Sequence, residues 1–171
     1  MDHAYDYGDG LFDVHLHAHV YHEGIAKKGA NNVASLIMQT MQEKNWLRED
    51  EMGGELNIIF DNCSGQNKNN TMLRLMVMLG ELKFFKKINF IFLIVGHTKN
   101  ACDRMFNMLK ENYHSKNIYT MAELVPILNR SKRLTVHETR EEEYFDYGTF
   151  LNLFYSKFTR KVKQSYFHGN P

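Results

Sequence analysis

Asp61 stands directly behind the apolar run LNIIF (56–60), and Asp103 stands in the segment that follows a second apolar run, INFIFLIV (88–95). A carboxylate at the tip of one buried strand, with another at the start of the helix after the neighbouring strand, is the arrangement a two-metal phosphoryl-transfer site requires. Two divalent ions about 4 Å apart must be held rigidly, one to activate the attacking oxygen and one to stabilise the leaving oxygen. Asp61 and Asp103 are therefore the candidate catalytic and metal-binding residues. Asn62, Gln66, Asn67 and Lys68 in DNCSGQNKNN, with Lys99 in GHTKNACD, are amides and ammonium groups of the kind that contact phosphates. His97 stands beside them, suited to orienting water or a phosphate. Each has a plainer reading: Asp-Asn at a strand end is a common turn, an acid in a first helical turn is favoured by the helix dipole, and polar loop residues solvate a turn.

The elements that must position these groups are read from periodicity. LFDVHLHAHVY (11–21) alternates apolar and polar residues behind a GDG turn signal, which predicts a hairpin. Asn31 and Asn32 can cap a helix whose stripe is Val33, Leu36, Ile37, Thr40 and Met41, ending near Asn45 and Trp46. LNIIF stops at a turn-rich stretch, so that strand ends at Asp61. Met72, Leu75, Met76, Leu79 and Leu82 recur at helical spacing, and the run 88–95 is apolar throughout, as expected of a central parallel strand. Strand, helix, strand is a parallel crossover, which delivers both strand ends to one edge of a sheet, where ligands bind in α/β folds. Cys102, Met105, Phe106, Leu109 and Tyr113 form the stripe of the next helix, with Asp103 in its first turn. Beyond Pro126, LTVHE reads as a strand, REEEYFD as an exposed acidic run and GTFLNLFYSKF as a helix. The expected organisation is a body over 1–130 with an extension over 131–171 that packs on it and ends in a basic tail.

Three further groups have chemistry-bearing types. His15, His17 and His19 alternate, so they share one strand face at a spacing suited to metal ligands; an exposed hairpin face is the plainer reading. Lys157, Arg160, Lys161 and Lys163, interleaved with Phe158 and Tyr166, suit a nucleic-acid backbone, or simply a solvated tail. Cys63 and Cys102 flank the two acids and read as small packing residues.

The totals narrow the classes. Lys and Arg number 21 against 20 Asp and Glu among 171 residues, a net charge of +1, so any site for a polyanion must be local. Two cysteines are too few for a disulfide framework, which points to a reducing compartment. The start has no signal-peptide pattern and no apolar run approaches a membrane span. A nuclear or cytoplasmic chain, neither secreted nor membrane-bound, is expected.

IIFDNCSGQNKNN followed by FLIVGHTKNACDRMFNMLK, together with YHEGIAKKGANNVASLI, resembles a eukaryotic transposon-derived domain family of the ribonuclease-H-like (DDE/DDD transposase-integrase) superfamily, over about Tyr5 to Tyr113. The resemblance implies an α/β fold with a mixed sheet flanked by helices. It also implies Mg²⁺ or Mn²⁺ as cofactor, DNA as partner, and assembly as a homo-oligomer. It places the second acid at the end of the fourth strand and the third on the helix after the fifth, which are Asp61 and Asp103. The first acid should end a central strand ahead of the hairpin, and this sequence has no room for that strand; Asp2, Asp6, Asp9, Asp13 and Glu23 do not occupy its place. The expectation is therefore a metal-dependent DNA cleavage and transfer domain that is incomplete at its N-terminus and inactive as it stands, with a non-catalytic nucleic-acid or protein-binding module as the alternative.

Overall fold

In the computed structural model, residues 2–5, 12–22, 24–48, 53–93, 101–129 and 134–166 are described. The elements run β1 (Asp2–Tyr5), β2 (Phe12–Val20), α1 (Ala30–Glu43), β3 (Gly53–Phe60), α2 (Asn70–Glu81), β4 (Phe85–Phe92), α3 (Ala101–Tyr113), α4 (Met121–Leu128), β5 (Leu134–Glu138), a 3₁₀ turn (Glu141–Glu143) and α5 (Tyr147–Tyr166). The chain is α/β. Its strands form two sheets where the resemblance led us to expect one: a mixed sheet ordered β1-β2-β5 and a parallel pair β3-β4.

Two compact units result, each drawn from two stretches of chain. One comprises residues 1–26 and 97–141, the other 27–96 and 142–171. The segment beyond residue 130 is shared between them, because β5 joins the first unit's sheet and α5 belongs to the second.

In the first unit the expected hairpin is present, with β1 antiparallel to β2 and Asp2 opposite His15. β5 then adds in parallel to the other edge of β2, with Leu16 opposite Leu134 and His19 opposite His137. Strand alternation separates two faces. Leu16, Ala18, Leu134 and Val136 form a buried face against Leu109 of α3 and Leu128 of α4. Among the described side chains of the predicted α3 stripe, Leu109 reaches this core, while Phe106 and Tyr113 are exposed.

In the second unit α2 supplies the centre of the core: Met72, Leu75 and Leu79 are wholly buried, with Met76 nearly so, while Leu82 is exposed just past the helix end. Leu56 and Phe60 of β3, Phe85 of β4, Ala34 and Met41 of α1 and Leu151 of α5 complete it. Phe60, Phe90 and Phe92 contact one another edge-on or tilted at the C-terminal end of the strand pair. The opposite face carries Glu55 against Lys87, Asn57 against Asn89, and Ile59 against Ile91, the last two about half exposed. Both strands begin earlier than their apolar runs, at Gly53 and Phe85, and β4 has no second neighbour among the described strands.

Helix α1 starts one residue before the predicted caps. Gly29 is its N-cap and makes no side-chain cap bond. Asn31 instead reaches the start of α5, where its Oδ1 accepts from Gly148 N at 2.7 Å and its Nδ2 donates to Asp146 at 2.7 Å. A tertiary contact thus takes the side chain that local pattern assigned to capping. None of the described helices is long and apolar enough to cross a membrane.

Candidate functional site

β3 and β4 are parallel from Gly53–Phe85 to Phe60–Phe92, and Leu93 N extends the ladder to Phe60 O at 2.8 Å. Asp61 is the first residue beyond that ladder, where the strand stops because its side chain takes over the local hydrogen bonding. Its Oδ1 accepts from Cys63 N at 3.2 Å and from the Asn67 side-chain amide, closing the loop on itself. The amides of Asn67 and Lys68 both reach Cys63 O, at 2.8 and 2.9 Å. Asn69 then caps α2, its side chain accepting from Met72 N at 3.1 Å, so the positive end of the α2 dipole lies at this same edge.

The loop thereby holds Asp61, exposed, with Asn62, Gln66 and Asn67, each half-buried, and Lys68, exposed. The Lys68 ammonium lies 5.7 Å above the Phe92 ring, a cation–π contact that draws it toward the end of β4. Asp61 Oδ2 makes no hydrogen bond to a described residue. One carboxylate oxygen, carboxamide groups and an ammonium thus share one strand edge; such a set can offer an oxygen ligand to a hard cation and donors to a phosphate.

The other half of the predicted site is less fully described. His97 and Lys99 lie outside the described residues. Asp103 is in the first turn of α3, as expected, with its side chain outside them too, and α3 belongs to the other compact unit. Cys63 is exposed with a free thiol; Cys102, on α3, has an undescribed side chain. Lys157, Arg160, Lys161 and Lys163 fall on α5, again with undescribed side chains.

A second constellation stands on the polar face of the β1-β2-β5 sheet. His17 and His19, predicted to share a face, are joined there by His137 of β5. His17 Nδ1 and His137 Nε2 are 3.2 Å apart, and ring centroids are 5.5 Å apart for His17–His137 and 5.0 Å for His19–His137. His19 Nδ1 lies 3.3 Å from the hydroxyl of Thr139, a buried residue. Burial, and after it the neighbouring His137 and His17, push the His19 imidazole down from 6.5 to about 4. His137 and Thr139 were not singled out in the sequence. Nothing near them signals the pairing, which joins residues 120 apart; the one local hint is that LTVHE carries its histidine at the alternation that faces away from Leu134 and Val136.

Comparison with curated proteins gave no match, and comparison with solved structures gave none. The match to a family of domains does cover residues 11–170, taking in both compact units and the loop that holds Asp61. The chain therefore belongs to the family described as the domain of unknown function DUF7869.

Proposed function

We propose that this chain derives from a metal-dependent DNA strand-cleaving and strand-joining domain of the ribonuclease-H-like class, with Asp61 as one of its metal-holding carboxylates. The observation that carries the reading is the seat of Asp61 at the C-terminal edge of a parallel strand pair, the edge at which α/β folds bind ligands. A hard carboxylate oxygen suits Mg²⁺ or Mn²⁺, which when bound would activate the attacking oxygen and neutralise the leaving one. Asp61 would hold an ion, and the resemblance assigns Asp103 to the same task. Lys68, with Gln66 and Asn67, would contact the phosphodiester, and His97 and Lys99 are assigned to the same task from sequence. The oxygen of Asp61 engaged by Cys63 and Asn67 orients the carboxylate and leaves the other for a ligand.

The test is nicking of duplex DNA with Mg²⁺ or Mn²⁺ by a form completed with a first-strand acid and by its Asp61→Asn variant, the chain by itself being expected not to cleave. Cleavage that needs the metal and falls roughly a hundredfold or more in the variant supports the reading. Cleavage retained by Asp61→Asn sinks it. A second reading is favoured by the exposed Lys68 beside carboxamide side chains, a set that can contact phosphates without any metal: a nucleic-acid-binding module without catalysis. Salt-sensitive gel shifts without nicking, weakened by Lys68→Ala with a shallower salt slope, would establish it instead.

A further inference from the structure

We propose that His17 and His137 form a divalent transition-metal site, of the class that takes Zn²⁺, on the polar face of the β2–β5 ladder. The proposal does not rest on the reading given to the Asp61 edge. It starts from the distance of 3.2 Å between His17 Nδ1 and His137 Nε2. An ion bound at 2.0–2.1 Å to two imidazole nitrogens, with a tetrahedral angle between them, spans about 3.3 Å from nitrogen to nitrogen. The strands already hold the two rings at that span. The planes are only 18° apart with the centroids at 5.5 Å, so the rings meet nearly end to end, one nitrogen facing the other. In this form they share a hydrogen bond in which one ring donates. An ion takes the proton's place after a modest rotation of each ring about its Cβ–Cγ bond, with no movement of the strands.

The surroundings are built for ligands more than for packing. The apolar face of the same sheet carries Leu16, Ala18, Leu134 and Val136, so core packing is already provided on the other side. On the polar face, His19 stacks on His137 at 5.0 Å and is itself tethered to the Thr139 hydroxyl at 3.3 Å. His19 thus acts as a positioning residue that fixes the plane of a ligand ring, as outer partners of metal-bound histidines do. Neutral imidazoles prefer borderline-soft ions such as Zn²⁺, Ni²⁺ and Cu²⁺ to Mg²⁺ or Mn²⁺. That preference sets this site apart chemically from the carboxylate at Asp61.

The experiment is calorimetric titration of the full chain with Zn²⁺, with Mg²⁺ in excess as competitor. One equivalent of Zn²⁺ per chain, undisturbed by Mg²⁺, is expected. Affinity should fall roughly tenfold or more in His17→Gln and in His137→Gln, and should be unchanged in His114→Gln. No binding at sub-millimolar free Zn²⁺, or binding that both ligand variants retain, overturns the proposal. Because either variant can fail to fold, the ring ¹⁵N resonances of the unsubstituted chain provide the second measurement. Zn²⁺ should shift those of His17 and His137 together, and shifts confined to other histidines overturn it equally.

Discussion

Asp61 is held by two bonds that an asparagine oxygen would accept as well, one from Cys63 N and one from Asn67. Asp61→Asn should therefore leave stability within about 0.5 kcal/mol of the parent, whereas Asp61→Ala, which releases the loop, should cost about 1 kcal/mol; urea denaturation of the three chains checks both. A large loss in the Asn variant would mean that the charge itself, and not the oxygen, shapes the loop. His19 allows a prediction in pH. Its folded value of about 4 lies below the unfolded 6.5, so folding favours the neutral ring. The associated stability is complete above pH 6.5 and is lost as the pH falls from there toward 4, by about 1 kcal/mol once partial exposure and solvent screening are allowed for. Denaturant midpoints measured across that window should fall more steeply in the parent than in His19→Gln; parallel curves would refute the assignment. At this scale the sequence was informative where the cause is local. Asp61 is visible because an apolar run ends at it, while His137 gives no sign of itself because its partners come from the far end of the chain.

Helices α1 and α2 end alike. Asn45 and Lys83 have φ of 53° and 58°, and the next residue's amide reaches back to close the turn, Trp46 N to Met41 O at 2.9 Å and Phe84 N to Leu79 O at 3.3 Å. This closure favours glycine, and a lysine there is held in the left-handed region at a cost of about 1 kcal/mol. Lys83→Gly should therefore stabilise the chain by about 0.5–1 kcal/mol, read as a higher denaturant midpoint at unchanged slope; a lower midpoint would show that the Lys83 side chain contributes more than its strain costs. The α2 stripe was legible because Met72, Leu75, Met76 and Leu79 recur on one face, and those four are the helix's buried apolar residues. The early starts of β3 and β4 were not, because Gly53–Glu55 and Phe85–Lys87 are mostly small or polar and become strand only by pairing with each other. The cap of α1 was misread for a related reason: Asn31 has the right type for capping but is used by α5.

Over the whole molecule, two stretches of chain build each unit, so the chain's order and its cores do not coincide. Leu151 of α5 is wholly buried among residues of α1, α2, β3 and β4. A chain ending at Arg140 would keep β5 but lose that helix. The amides of α1 and α2 should then lose hydrogen-exchange protection, while those of β2 and β5 keep theirs. Protection retained by α1 and α2 would mean that α5 is dispensable to their core. The α/β class was readable from the strand-helix-strand pattern, but the division into two sheets was not, since hydrophobic periodicity marks a strand without saying which edge it will find.

The parallel pairing of β2 with β5 joins residues 118 positions apart in the chain, as Leu16 with Leu134. At about 5–20 residues per second, a ribosome takes roughly 6–24 s to bring the second strand out after the first. Throughout that interval one edge of β2 must wait without its native neighbour, while its hairpin with β1 can form within microseconds. The first unit can thus begin folding before the second, yet it cannot finish until β5 has emerged behind α1, β3, α2 and β4. The nascent chain therefore carries an open strand edge that a holding chaperone is suited to cover.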